Sequence, residues 1–355
     1  MPTSGLLPIL QFIVAIAVLI ILHELGHFLM SKVFGVEVEE FGIGFPPRIV
    51  KLFEAGGTEF TLNWIPLGGF VRPKGENNPD IPGGLAAANP FIRIAVFLMG
   101  PIMNILAAII IYGIVFGRIG IDITKVSIIA TTENSPAAVA DIQPGDIVEE
   151  INGNPIRSTG AMRNAIYANL GQEIHVDLIR DGEPLSVTVV PREDPPEGEG
   201  AIGVVMGNPR DEITPLKAVY IGGIAVYEQA RTLLQLPGML MRGDVSPEES
   251  RLVGYKGMYD IYTNQLEADA NGDLPAGVNT LSFFATISVS LGLLNLLPIP
   301  ALDGGRILFA LPEIIIGHRI PPKYENAINL IGLALLLILM IYINAQDFIN
   351  PVQLP

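Results

Sequence analysis

Residues 21–28 read I-L-H-E-L-G-H-F, and the rest of the chain is interpreted outward from them. His23, Glu24 and His27 form an H-E-x-x-H pattern. On an α-helix, residues four apart stack one turn above each other on one face, so His23 and His27 can grip a single metal ion. Neutral imidazole suits Zn²⁺. Glu24, beside the first histidine, can reach a metal-activated water as general base. The setting is unusual for such a pattern. Across residues 6–22 only Gln11 is strongly polar, and apolar character resumes at Phe28, Leu29 and Met30. A run this long spans a bilayer, where ionisable groups are costly and by default mark a functional site. The alternative is a polar seam that hydrogen-bonds helices together. Catalytic zinc normally takes three protein ligands, so the metal reading requires a third.

Composition agrees with the membrane setting. Half of the 355 residues are hydrophobic and only 16% are charged, which suits a multispan membrane protein better than a soluble one. There are no cysteines, so disulfides and thiolate metal sites are excluded and any ligand must be His, Asp or Glu. A net charge of −15 argues against nucleic-acid binding. The N-terminus, M-P-T-S-G-L-L-P, lacks the basic segment of a secretory signal. The first apolar run is therefore expected to be retained.

Four spans are expected, over residues 6–33, 91–116, 281–297 and 327–343. Between the first two, 34–89 is too polar to cross. Within it, E-F-T-L-N-W-I (59–65) alternates with period two and is rich in β-formers, and Gly68-Gly69 and Phe70-Val71-Arg72 follow. This reads as a membrane-associated β-hairpin. Its edge either holds an extended substrate by strand addition or is purely structural. The second span contains Gly100-Pro101-Ile102-Met103-Asn104. Pro101 interrupts the helical hydrogen-bond ladder. Asn104 is either a donor to a substrate carbonyl or interhelical glue.

Residues 122–192 read as a soluble α+β domain. The β-rich runs 125–129, 147–151, 174–179 and 186–190 alternate with turns, and one helix fits 160–169. A linker, E-D-P-P-E-G-E-G, covers 193–200. Residues 213–241 are apolar but carry Lys217, Glu228, Gln229 and Arg231. A helix lying at the membrane surface is the preferred reading, and a fifth crossing the alternative. Residues 243–276 read as a polar loop.

Lys and Arg in short loops set the orientation. Lys32, Arg48, Lys51, Arg72, Lys74 and Arg93 follow the first span, and Arg306, His318, Arg319 and Lys323 follow the third. Four spans put both groups on one side, which is then cytoplasmic. Both termini and the acidic section 122–276 lie outside.

Asp303 is the candidate third ligand. It follows the third span, in N-L-L-P-I-P-A-L-D-G-G-R, and Asn295, Pro298 and Pro300 end regular helix just before it. The orientation puts it at the depth of His23 and His27. Gly304-Gly305 permits close backbone approach. The other histidines are read as a surface residue (His175) and a charge or orientation feature (His318).

Taken together, these residues resemble the site-2 protease family of intramembrane metalloproteases, peptidase family M50, in its bacterial PDZ-containing branch. The resemblance rests on three motifs in order: H-E-L-G-H at 23–27, G-P-I-M-N at 100–104 and N-L-L-P-I-P-A-L-D-G-G at 295–305. Ser135-Pro136-Ala137-Ala138 through Pro144-Gly145-Asp146 to Ile151-Asn152-Gly153 looks like a PDZ domain. The resemblance implies Zn²⁺ on His23, His27 and Asp303, with Glu24 as base. It implies substrate or transition-state support from Asn104 and Asn295, and a substrate-engaging hairpin that carries Trp64. The expected fold is a multispan α-helical membrane protein with four transmembrane helices, a membrane-associated β-hairpin and one inserted extracytoplasmic PDZ domain. Its expected divisions are 1–117 (N-terminal membrane core), 122–194 (PDZ domain), 195–280 (linker and membrane-surface helical region) and 281–355 (C-terminal membrane core). The implied partners are the lipid bilayer, pre-trimmed single-span membrane substrates and peptide C-termini at the PDZ domain. Members with two PDZ domains exist, and this chain departs from them in having one. Rival classes are a non-catalytic scaffold presenting the PDZ domain, and a metal transporter, which would need a path of intramembrane carboxylates.

Overall fold

The computed structural model describes residues 5–196, 198–246, 251–272 and 274–351. Residues 1–4, where a signal segment was sought, lie outside that description. The chain divides into two units: 1–115 with 222–355, and 116–221.

The first unit opens with α1 (Leu6–Val33). Phe12, Ile16, Leu19, His23 and His27 are among its buried positions, spaced three or four apart, so one stripe packs inward. Leu6, Leu10, Val14 and Val18 stay exposed. β1 (Val38–Ala55) and β2 (Thr58–Pro73) follow, joined at Gly56-Gly57, where both φ angles are positive (58° and 73°). The expected strand runs 59–65 and 70–72 both fall in β2. The length of β1 was not expected, because Gly42, Gly44 and Pro46-Pro47 break its alternation. Phe41 pairs with Val71 on one side and Phe60 on the other, so 38–43 is central and 69–73 forms an edge. Ile49, Leu52, Phe53, Trp64 and Ile65 leave the hairpin exposed and apolar.

α2 (Pro90–Ile119) remains helical through Pro101. It crosses α1 closely: a Cβ on Gly26 would lie 2.3 Å from the Met99 carbonyl oxygen. Small residues at such a crossing let two helix backbones approach without lost packing.

The second unit contains β3 (Val126–Thr131), α3 (Pro136–Val139), β4 (Ile147–Ile151), β5 (Asn154–Pro155), α4 (Thr159–Tyr167), β6 (Ile174–Arg180), β7 (Glu183–Val189) and β8 (Val204–Gly207). The sheet is antiparallel in the order β7-β6-β4-β3-β8, with β5 on β4. Alternate residues Val126 and Ile128, and Ile174, Val176 and Leu178, enter one core with Met162 and Ile166 of α4; Val148 and Ile151 join them from either side of a register shift in β4. Ser158 caps α4 by accepting from the Ala161 N–H at 3.1 Å. The four expected runs correspond to β3, β4, β6 and β7. β8 lies just beyond the linker read at 193–200, in the 195–280 division, where no strand was expected. Its four residues are too few to show a period, and only its pairing with β3 (Ile128 opposite Met206) makes it a strand. His175 is exposed on β6, with Nδ1 3.2 Å from Thr188 Oγ1.

α5 (Pro215–Arg242) is helical over the stretch read as a helix and is not among the helices apolar enough to cross a membrane. From Gly222 onward it packs on two of the apolar helices. A Cβ on Gly222 would lie 2.6 Å from the Ile109 carbonyl oxygen, and Gln229 Nε2 donates to the Thr286 carbonyl at 3.1 Å. α6 (Tyr255–Asn271) replaces the expected polar loop. Tyr255, Met258, Tyr259, Tyr262 and Leu266 recur at helical spacing, and Tyr262 packs on Phe12 of α1 with ring centroids 5.5 Å apart. Two distant carboxylates hold the ends of this region. Asp347 is 1% exposed and accepts from the N–H groups of Gly254 (2.8 Å) and Gly257 (2.9 Å) and from Arg251 (2.7 Å). Asp269 accepts from Asn279 and Thr280 at the start of α7 (Val278–Leu296). Both satisfy donors that a helix start leaves open. α8 (Asp303–Ile316) and α9 (Pro322–Ile349) complete the unit. Among the described residues, α1, α2, α7 and α9 are the helices long and apolar enough to cross a membrane.

Candidate metal centre

α1 presents His23 and His27 on its buried stripe, each under a tenth exposed. α8 presents Asp303 at its first residue. The chain reaches that point through a tight return. Ala301 sits at φ 77°, an unfavourable conformation for a residue with a Cβ, and its N–H donates to Asn329 Oδ1 of α9 at 3.0 Å. A Cβ on Gly304 or Gly305 would lie 2.3 Å from carbonyl oxygens of Leu296 or Ile299, so no larger residue fits there. That return brings Asp303 onto the histidines, 280 residues after His23.

Asp303 Oδ2 lies 3.0 Å from His23 Nε2 and 3.4 Å from His27 Nε2, and the two Nε2 atoms are 3.2 Å apart. Ligands about 2.05 Å from a tetrahedral zinc would be about 3.3 Å from one another. Three buried polar atoms at that spacing fit a shared cation. Two further observations agree. Asp303 Oδ2 is buried and, despite its proximity to both rings, has no hydrogen bond of acceptable geometry. A Cβ on Gly100 would lie 2.4 Å from His27 Nε2 and 2.8 Å from His23 Nε2, so glycine keeps this volume open. Among the described residues, these three side chains form the one group of at least three His, Asp or Glu with converging ligand atoms. Two nitrogens and one carboxylate oxygen are the donor set of many catalytic zinc sites.

The surroundings orient the ligands. His27 Nδ1 lies 2.8 Å from the Val96 carbonyl oxygen, so Nδ1–H donates there and the Nε2 lone pair faces Asp303. Glu24 Oε2 accepts from the Val71 N–H of the β2 edge at 3.0 Å. A cavity of about 480 Å³ opens over the group, lined among others by His23, Glu24, His27, Asn295, Asp303 and Arg306. Arg306, one turn beyond Asp303, pairs with Glu76 and lies 5.4 Å over the Phe97 ring.

The remaining sequence candidates fall in different places. Asn295 lines the cavity, and its Nδ2 donates to the Leu291 carbonyl at 3.0 Å. Asn104 is 1% exposed, does not line the cavity and sits behind His23. Trp64 is 67% exposed and lies outside the cavity lining. His318 is exposed, with Nδ1 2.9 Å from the nearby Ile316 carbonyl oxygen. Sequence reasoning did not single out Gly100, Val71, Arg306 or Glu76 for this site. Gly100 was visible inside G-P-I-M-N as a small residue in an apolar helix, but its meaning depends on what faces it.

The profile of peptidase family M50 matches residues 11–339. The chain belongs to peptidase family M50. A Clostridium perfringens protein whose name carries the words zinc metalloprotease is 34% identical over 343 residues, covering 96% of this chain and 98% of its own. Zinc metalloprotease RasP of Shouchella clausii is 29% identical over 425 aligned positions, covering 96% of this chain and 98% of its own. A solved PDZ domain from Listeria monocytogenes is 20% identical and covers 23% of this chain and 85% of its own, at a TM-score of 0.21. That score is too low to carry an argument about fold. The expected enzyme class, a metalloendopeptidase of the site-2 type, stands with the M50 membership.

Proposed function

We propose that this M50 peptidase is a zinc-dependent intramembrane endopeptidase, with His23, His27 and Asp303 as metal ligands and Glu24 as general base. The observation that carries the reading is the convergence of three ligand atoms at tetrahedral spacing, over a glycine that leaves their shared volume empty. Bound there, zinc supplies Lewis-acid polarisation of a scissile carbonyl and a water made acidic near neutral pH. Glu24 takes the proton of the attacking water and delivers it to the departing amide nitrogen, so that a C–O bond forms as the C–N bond breaks. The Val71 N–H aims the Glu24 carboxylate. Asn295, on the cavity wall, lies where a polar side chain can hold a substrate carbonyl.

The substrates are single-span membrane proteins already trimmed outside the membrane. A transmembrane helix shields its peptide bonds with its own hydrogen bonds and must unwind before cleavage. The outer edge of β2 at 69–73 is where an unwound segment can add as a further strand, beside the Val71 N–H that Glu24 already holds. The hairpin with Trp64 sits at the membrane, and the chain is a multi-pass protein of the bacterial inner membrane. Its active site lies towards the cytoplasm. The PDZ domain, read at 122–194 within the 116–221 unit, is extracytoplasmic, where it filters substrates by size or receives new C-termini. Lys and Arg in the loops after the first and third spans support this orientation.

The test is co-expression with a panel of trimmed single-span reporters, comparing wild type with Glu24→Gln. Cleavage should fall by about 10²–10⁴-fold in Glu24→Gln with zinc retained. Equal cleavage by both would remove Glu24 from the mechanism, and a purified wild type without zinc would overturn the metal reading.

A further inference from the structure

Asn104 has no route to substrate in this fold. It is 1% exposed, absent from the cavity wall and enclosed between α1, α2 and α7, where its own carbonyl accepts from Ser288 Oγ at 2.8 Å. Its side chain instead meets the far nitrogen of a metal-ligand candidate. Asn104 Nδ2 lies 3.4 Å from His23 Nδ1, while Asn104 Oδ1 is buried without a hydrogen-bond partner.

Chemistry selects between the two orientations of this amide. A neutral imidazole that offers Nε2 to a metal must carry its proton on Nδ1. Nδ1–H is a donor and needs an acceptor. For His27 that acceptor is the Val96 carbonyl. For His23 the atom at hand belongs to the Asn104 amide, whose oxygen and nitrogen are interchangeable by a half-turn of the side chain. Turning it places Oδ1 on His23 Nδ1–H and gives that oxygen the donor it lacks.

We propose that Asn104 is a positioning residue: its amide oxygen accepts from His23 Nδ1–H and so holds the His23 Nε2 lone pair towards the metal. The proposal rests on His23 being a ligand, as put forward above. It moves Asn104 from substrate support to metal affinity. A histidine ligand whose other nitrogen is held by an acceptor is fixed in both tautomer and ring angle. Removing such an acceptor typically lowers metal affinity about 10–100-fold.

The experiment compares zinc affinity, by chelator competition on the purified full chain, in wild type, Asn104→Asp and Asn104→Leu. Aspartate keeps an acceptor oxygen and cannot donate; leucine keeps the volume and does neither. Circular dichroism of the metal-free proteins checks folding, and Asn104→Ala replaces the leucine variant if that one fails to fold. Wild-type affinity within a few-fold in Asn104→Asp, with about a 10–100-fold loss in the apolar variant, supports the proposal. An equal loss in both variants overturns it and makes the amide a donor. No loss in the apolar variant also overturns it and leaves Asn104 as packing between helices. A wild type that binds no zinc would fail the ligand reading itself, a separate result.

Discussion

Gly100→Ala adds one methyl group to α2 at the point where the ligand atoms of the proposed zinc site converge. The new Cβ would lie 2.4 Å from His27 Nε2, 2.5 Å from His27 Cε1 and 2.8 Å from His23 Nε2. Ordinary contact between such atoms is about 3.5 Å. The overlap is therefore about 1.1 Å on one ligand and about 0.7 Å on the other. Zinc sites hold their ligand distances within about 0.2 Å. Both imidazoles would have to move several times that tolerance, or α1 would have to give up its close packing on α2 at Gly26. The expected loss of zinc affinity exceeds the ~10–100-fold seen when only a ligand's outer partner is removed. The helix itself should not suffer, because alanine is favoured over glycine in a helix interior by about 1 kcal/mol. Zinc content, chelator competition and reporter cleavage read the effect, with circular dichroism to show that the helices persist. A variant that holds one zinc at wild-type affinity and cleaves normally would refute the reasoning. Gly26→Ala is the contrasting control. It drives a methyl group to 2.3 Å from a backbone oxygen and should lower thermal stability by about 1–3 kcal/mol through overpacking.

Three further outcomes follow from other parts of the structure. Asp347→Ala strips the buried acceptor from Arg251, Gly254 N–H and Gly257 N–H, a change of the kind that costs about 3–5 kcal/mol; amide exchange at 254–258 should accelerate, and unchanged protection would show that α6 does not depend on this cap. Asp122 is pushed up by burial but held lower by Lys217 and Thr124, to about 2, so its contribution is complete above pH ~4 and lost as pH falls towards ~2. Exchange protection in β3, corrected for intrinsic rates, should fall over that window in wild type and stay flat in Asp122→Asn; parallel curves would deny the carboxylate its role. Trp64 is the sole tryptophan and is 67% exposed among apolar neighbours, so lipids brominated near the headgroup should quench its fluorescence strongly, whereas no quenching would take the hairpin out of the membrane.

The sequence alone was enough to locate features governed by local spacing. An apolar run of fixed length makes a long helix wherever it is placed, and α1, α2, α7 and α9 were legible on that ground. Histidines four apart share a helix face by geometry alone, so the pairing of His23 with His27 needed no fold. The alternating runs that became β3, β4, β6 and β7 carried their period within five to seven residues. α6 was missed although its apolar residues keep helical spacing, because that stripe is diluted by charged and polar neighbours. β1 and β8 were missed because glycine, proline and shortness hide a strand whose hydrogen bonds go to distant partners. At the site, local spacing gave two ligand candidates and a base on one helix. Asp303 was reached from depth, ligand shortage and the resemblance of N-L-L-P-I-P-A-L-D-G-G to a family motif, since a turn such as L-D-G-G does not by itself say what it faces. Tertiary structure alone decided that Gly100 leaves room for an ion and that Val96 and Asn104 stand behind the two imidazoles. It also decided that Val71 reaches Glu24. Those relations join segments dozens to hundreds of residues apart, and a chain specifies them only through packing, which local periodicity does not encode.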